Sequence, residues 1–386
     1  MRLLHHNTHL YLPHQLEALK KDLNRLYVVH SIRGFVFSLF GIFIPIYLLS
    51  IEFSLTFVLC FHIVRRFSLM FMSFISGSIG NRLGLKHTML LSLPLALVYL
   101  VALSLLKFIP SLWLLFLLAM LGGIQASLYW IPLHSLFSRY TKTGHRSSAV
   151  SKLLSFQHMA TMLAPLLGGI ITVIWGFEAL FVIAFSMLLL PIGLLFYSPE
   201  IKPHVNFKFR DGLHLFKKYK KYYFQVAIDF FGEGAESVLW PIFIFSILAN
   251  SLAIGFVGTL VGFGTIIFTL IIGKKTNRKN RTKMIRVSAL LLAFVWSMKF
   301  FASTPIIIYT LSVLAGFFAI MFSVPHMAET YALAKKDSNP DEFIIFREVA
   351  AVAGKIPLLL LAIFLHDKIE WSFIVAGLNY LILFFI

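Results

Sequence analysis

The sequence predicts an all-α membrane protein with twelve transmembrane helices in two pseudo-symmetric halves, and three observations predict it. First, 59% of the 386 residues are hydrophobic and 13% charged, with a mean hydropathy of +0.86. No soluble globular class has that composition. Second, the apolar residues fall into twelve runs, each near the ~20 residues that cross a bilayer. Third, Gly77, Asn81 and Arg82 recur at an offset of 196 residues as Gly273, Asn277 and Arg278. Pro45-Ile46-Tyr47 meets Pro241-Ile242-Phe243 at the same offset. One offset at two separate places marks an internal repeat.

Taken in order, residues 1–26 form a cytoplasmic N-terminal segment. Leu16, Leu19, Leu23 and Leu26 recur there at helical spacing opposite Lys20 and Lys21, as in an interfacial helix leading into the first span. His5, His6, His9 and His14 match no metal-site spacing, so no metal is expected. Residues 27–198 hold the first six helices, at 27–50, 53–78, 87–107, 110–137, 150–174 and 177–198. A basic linker covers 199–221, where aromatics and bases alternate from Phe207 to Lys221. That mixture fits the anionic inner leaflet better than a nucleic acid, each base gaining ~1 kcal/mol near lipid. Residues 222–386 hold the last six helices, at 222–249, 252–273, 284–303, 305–334, 342–365 and 370–386. The chain reaches Ile386 still apolar, so the C-terminus is expected to be very short or truncated.

The net charge of +18 is sorted between alternate connections. Bases crowd the N-terminus and the even-numbered loops, while the odd-numbered loops hold only Lys107 and Lys368. By the positive-inside rule the N-terminus is cytoplasmic. The localisation expected is a multi-pass protein of the plasma membrane, with no cleavable signal because the first apolar run is too long for one. The single cysteine, Cys60, excludes a disulfide scaffold. The sequence contains no Walker loop, H-E-x-x-H, C-x-x-C or G-x-S-x-G pattern, which argues against an enzyme or an ATP-driven pump and implies no cofactor.

The first polar break is Gly77-Ser78-Ile79-Gly80-Asn81-Arg82-Leu83-Gly84-Leu85-Lys86-His87, whose glycines permit tight turns. It resembles the loop between helices two and three of the major facilitator superfamily, written G-x-L-a-D-R-x-G-R-K. Gly77, Gly80, Arg82, Gly84 and Lys86 match, while Asn81 replaces the aspartate and Leu85 a basic residue. The resemblance covers about 27–386. It implies two six-helix bundles related by an axis along the membrane normal, with a central site between them. It also implies alternating-access transport, and a cytoplasmic gate at Gly77, Gly80, Asn81, Arg82, Gly84 and Lys86 with Asn277 and Arg278. Without the aspartate's charge, a weaker or differently made lock is implied. Ala160-x-x-x-Ala164-Pro165-x-x-Gly168-Gly169 is similar to an antiporter pattern of that family, and close helix packing explains it equally well. No Arg or Lys lies between Lys107 and Arg139, where the antiporters carry an arginine.

An ionisable group at mid-membrane costs at least ~2.5–3.5 kcal/mol and needs a reason. Asp229, Glu233 and Glu236 are spaced i, i+4 and i+7, which predicts one acidic stripe whose mutual repulsion makes at least one a proton carrier. His62, Arg65 and Arg66 share one side of the second helix, and Arg33 falls at the repeat position of Asp229. Glu329, Arg347, Glu348 and Lys355 complete the interior set, five bases against five acids, while Lys299 is expected to snorkel to the outer surface. The candidate substrate and ion-binding residues are Arg33, Arg65, Arg66, Asp229, Glu233, Glu236, Glu329, Arg347 and Lys355. Gln125, His134, Gln157, His158 and His326 are better explained by helix–helix hydrogen bonds. The function implied is secondary transport of a small charged or zwitterionic solute by a monomer among membrane lipids, coupled to protons. Alternatives are efflux of hydrophobic or amphiphilic compounds, and a non-transporting sensor or assembly protein on the same scaffold.

Overall fold

The computed structural model describes residues 12–140, 155–196, 209–275, 281–336, 340–366 and 368–385. Its elements are α1 (Leu12–Gly41), α2 (Ile44–Ser50), α3 (Leu55–Leu83), α4 (Leu85–Leu105), α5 (Leu112–Tyr140), α6 (Ala164–Leu188), α7 (Leu190–Phe196) and α8 (Phe209–Lys218). They continue with α9 (Lys220–Gly234), a π-helical turn (Ala235–Leu239), α10 (Trp240–Leu248), α11 (Ser251–Lys275), α12 (Arg281–Lys299), α13 (Pro305–Lys336), α14 (Pro340–Leu365) and α15 (Trp371–Phe385).

Among the described residues nine helices are long and apolar enough to cross a membrane, against the twelve runs in the sequence. The differences have local causes. The 41-residue stretch Ser155–Leu195 counts as one span, yet at Gly176 the backbone leaves helical geometry (φ 84°, ψ 177°) and joins two helices. Arg281, Lys283, Arg286 and Lys299 dilute the hydropathy of α12, and α15 has only 15 residues. The amphipathic lead-in runs without a break into the first span as α1.

The internal repeat is visible as structure. Pro45 stands in the first turn of α2 and Pro241 in the first turn of α10, and a helix break precedes each at the same 196-residue offset. Proline has no N–H to offer the preceding turn, so the helix before it must loosen. The chain does this by a turn at 42–43 in the first half and by the π segment in the second. Helix pairing repeats as well, α3 with α5 and α11 with α13. A Cβ on Gly123 would press on the carbonyl of Arg65, and one on Gly316 on the carbonyl of Val261. Val261 is Arg65 shifted by 196. The halves meet where α3 packs on α14 and α6 on α11. Gly169 lies against Ser251 and Leu252, and Gly255 and Gly258 lie against Pro165. The small residues of the fifth span therefore serve close packing.

The Gly77–His87 stretch departs from the expected loop. α3 runs on to Leu83, and only Gly84 is non-helical, with φ 96° that a side chain would resist. Gly77 and Gly80 are contact glycines within the helix, the first against the Ile345 side chain and the second against Leu85.

Candidate functional site

A cavity of about 580 Å³ lies between the halves. α1 contributes Arg33, α3 contributes His62, Arg65 and Arg66, and α5 contributes Gln125, Tyr129 and His134. From the second half, α9 and its π turn supply Phe230, Glu233 and Glu236, and α14 supplies Arg347, Glu348 and Lys355. Seven of the nine expected residues thus line one cavity. Asp229 and Glu329 are not among the lining residues and sit off the cavity.

The carboxylates are not a mutually repelling stripe. Lys355 Nζ donates to Glu233 Oε1 at 2.6 Å, Lys299 Nζ donates to Glu236 Oε2 at 2.6 Å, and Asp229 Oδ2 lies 3.2 Å from His326 Nδ1. Glu236 lies in the π turn Ala235–Leu239, whose wider register i, i+4, i+7 spacing cannot foresee. Each acid reaches a different helix and finds a different base there.

Lys299 does not snorkel. Its side chain is 0% exposed, with the ammonium 3.8 Å from the Trp296 ring and 4.3 Å from the Trp240 ring. A cation between two indole faces and a carboxylate is retained inside by those contacts. The remaining lining acid is also occupied, since Arg347 Nη1 donates to Glu348 Oε2 at 2.8 Å.

The bases of the first half are arranged differently. Arg33 donates to Gln125 Oε1 and lies 4.0 Å over Tyr129 and 4.5 Å over Phe37, while its Nη1 is buried without a hydrogen-bond partner. Arg66 Nη2 donates to Ser237 Oγ in the π turn at 3.1 Å, and its Nε is likewise unpartnered, as are both ring nitrogens of His62. Arg65 stands beside Tyr99 and the Gly122 backbone. Among the described residues, no ion pair includes Arg33, Arg65 or Arg66. Five lining bases therefore face three lining acids, the other two interior acids, Asp229 and Glu329, being off the cavity.

Four of the five groups expected to make helix–helix hydrogen bonds, Gln125, Gln157, His134 and His326, make them. Gln125 orients Arg33, and Gln157 Oε1 lies 2.9 Å from His30 Nε2 on the same wall. His134 Nδ1 lies 2.7 Å from Tyr331 Oη across the two halves, and His158 is not a lining residue. Glu348 was recognisable as a buried charge, and its cavity position follows from its neighbour Arg347.

At the end of the molecule that carries the Gly84 turn, Arg139 of α5 pairs with Asp341 of α14, and Phe74 meets Phe346 edge to face at 5.8 Å. Lys86 is buried and Arg82 exposed there. Asn277 and Arg278 lie outside the described residues. Also among the described residues, no group of three or more histidine, cysteine or acidic side chains is placed to hold a metal.

A family model described as Major Facilitator Superfamily matches residues 26–231. Comparison with curated proteins gives no match. Among solved structures, the human organic anion transporter MFSD10 (TETRAN) is similar with a TM-score of 0.73 at 15% identity, over 95% of this chain and 99% of that one. The E. coli fucose:proton symporter FucP is similar with a TM-score of 0.71 at 13% identity, over 95% and 98%. At such identities the likeness is one of fold. With the family model spanning more than half of it, this chain is a multi-pass membrane transporter and belongs to the major facilitator superfamily.

Proposed function

We propose that the protein moves a small anionic solute across the membrane by alternating access of two six-helix bundles, residues 27–198 and 222–386, to the central cavity. One observation carries this reading. Every lining carboxylate is held by its own cation, whereas Arg33, Arg65 and Arg66 face the cavity with no carboxylate in ion-pair range. Arg66 feels Glu233 and Glu348 only beyond contact range, and guanidiniums with no carboxylate in contact, in a largely apolar chamber, favour an oxyanion, which they bind by charge-assisted, often bidentate hydrogen bonds. Of the charged or zwitterionic solutes expected from the sequence, the anionic class fits. The neighbour of this fold named an organic anion transporter agrees in charge, while its 15% identity leaves the substrate open.

The twelve spans follow when Ser155–Leu195 is divided at Gly176 and α12 and α15 are added. The distribution of bases places the Gly84 end in the cytoplasm. There the gate combines Asn81, Arg82 and Lys86 with the Arg139–Asp341 pair, which supplies across the halves the charge that Asn81 lacks. Transport is coupled to protons, in a monomer surrounded by lipid.

Uptake of labelled succinate and glycerol 3-phosphate into vesicles tests the assignment. Replacing Arg65 and Arg66 together by alanine removes two charge-assisted contacts worth ~1.5–3 kcal/mol each, so uptake falls at least about tenfold. Unchanged uptake refutes it. The aromatic lining, with Phe37, Tyr129, Trp130 and Trp240, favours a second reading, efflux of amphiphilic compounds. Sensitivity of a deletion strain to toxic amphiphiles separates the two.

A further inference from the structure

We propose that Asp229 and His326 form a proton-binding site, separate from the anion cavity, that carries the coupling proton. The proposal rests on the transport reading above. Asp229 Oδ2 of α9 and His326 Nδ1 of α13 are 3.2 Å apart, and neither residue lines the cavity. The His326 side chain is 4% exposed and that of Asp229 21%, so the pair joins a partly exposed side chain to a buried ring. His326 Nε2 is buried with no hydrogen-bond partner. With Nδ1–H turned toward Asp229, Nε2 presents the lone pair that accepts a proton. The proton is taken from solvent on one side of the membrane and returned to solvent on the other, with no change in covalent bonding elsewhere.

The cavity glutamates suit this task less well. Protonating Glu233 or Glu236 would strand Lys355 or Lys299 inside the protein without a counter-charge, an arrangement that proteins avoid. Protonating His326 instead converts a neutral contact into an ion pair with Asp229. Histidine also changes charge near neutral pH.

The groups facing the pair leave it in that role. From α9, the Tyr222 ring sits edge-on to His326 at 5.7 Å and its hydroxyl donates to Thr330 at 2.6 Å. From α14, Arg347 acts electrostatically on Asp229 but is engaged by Glu348. From α15, Tyr380 Oη lies 3.5 Å from the Asp229 backbone carbonyl. Glu329 is one turn along α13 from His326, and its charge acts on Tyr222. Glu233, one turn along α9 from Asp229, is held by Lys355. A proton on His326 draws α9 and α13 together. Because α9 leads into the π turn that holds Arg66 through Ser237, the change reaches the anion site.

Nitrogen-15 NMR of histidine-labelled protein in lipid nanodiscs tests the site without any substrate. The resonance lost in His326→Gln identifies the ring. The expected result is an imidazolium that forms on acidification and is lost on raising the pH, with at least a fivefold smaller population at the same pH in Asp229→Asn. A ring that stays neutral throughout, or one indifferent to Asp229→Asn, overturns the proposal. In vesicles containing a pH dye, the protons moved per succinate or glycerol 3-phosphate taken up fall at least tenfold in His326→Gln. Unaltered proton movement overturns the coupling role even where the anion reading stands. No flux of either anion in wild type overturns the anion reading, whereas the NMR result decides the proton site.

Discussion

Replacing Lys299 by methionine isolates the buried pair that the sequence missed. The ammonium is 0% exposed and bonded at 2.6 Å to Glu236, whose side chain is 29% exposed. Removing one partner of a buried pair costs ~3–5 kcal/mol, because the other charge is left uncompensated. The partial exposure of Glu236 toward the cavity places the loss at the lower end, ~3 kcal/mol. In a chain this long each kcal/mol moves the unfolding midpoint by ~1–2 °C, so Lys299→Met melts ~3–6 °C lower in detergent. Glu236→Gln combined with Lys299→Met removes both charges and recovers more than half of that loss, a coupling energy of ~1.5 kcal/mol or more in a double-mutant cycle. The readout is tryptophan fluorescence, since Trp240 and Trp296 flank the ammonium. A single mutant melting within 1 °C of wild type, or a double mutant no better than the single, would refute the reasoning.

Three further outcomes follow from other contacts. Gly123→Leu and Gly316→Leu drive a side chain into a neighbouring helix backbone and reduce folded protein several-fold by fluorescent size-exclusion chromatography, while Gly193→Ala, with open space around it, does not. Arg139→Asp or Asp341→Arg alone breaks the pair between the halves and slows transport at least about fivefold, and the double swap restores it to within twofold. Lys107→Ala removes an ion pair whose side chains are 51% and 37% exposed. The stability cost measured by thermal melting is under ~1 kcal/mol, as for other exposed pairs.

The periodic and compositional features were legible because they are local. Span positions, the paired Pro45 and Pro241 and the repeat offset depend on residues near one another or on a fixed shift; nine of the spans and both prolines have structural counterparts among the described residues. The interior cations of α1 and α3 were legible too, since a base in an apolar run draws notice wherever its partner lies. Pairings were not legible. Which of Lys299, His326 and Lys355 meets which carboxylate depends on the packing of four helices, and the π turn before Pro241 alters the register on which any helical-wheel argument rests. The same limit misplaced Lys299. Its distance from the helix end suggested the surface, yet two tryptophans and Glu236 hold it inside. Gly77 and Gly80 looked like turn residues because a polar break surrounds them, whereas the helix continues through them and uses their missing side chains for contact.

The central claim is that the cavity selects negative charge through three guanidiniums. Its most direct test is counterflow in reconstituted vesicles, comparing succinate and glycerol 3-phosphate with the cation choline in wild type and in Arg33→Gln, Arg65→Gln and Arg66→Gln. The account predicts exchange of at least one anion, no exchange of choline, and at least a tenfold loss of anion exchange in Arg65→Gln and Arg66→Gln. Choline exchange, or anion exchange indifferent to all three substitutions, would contradict it.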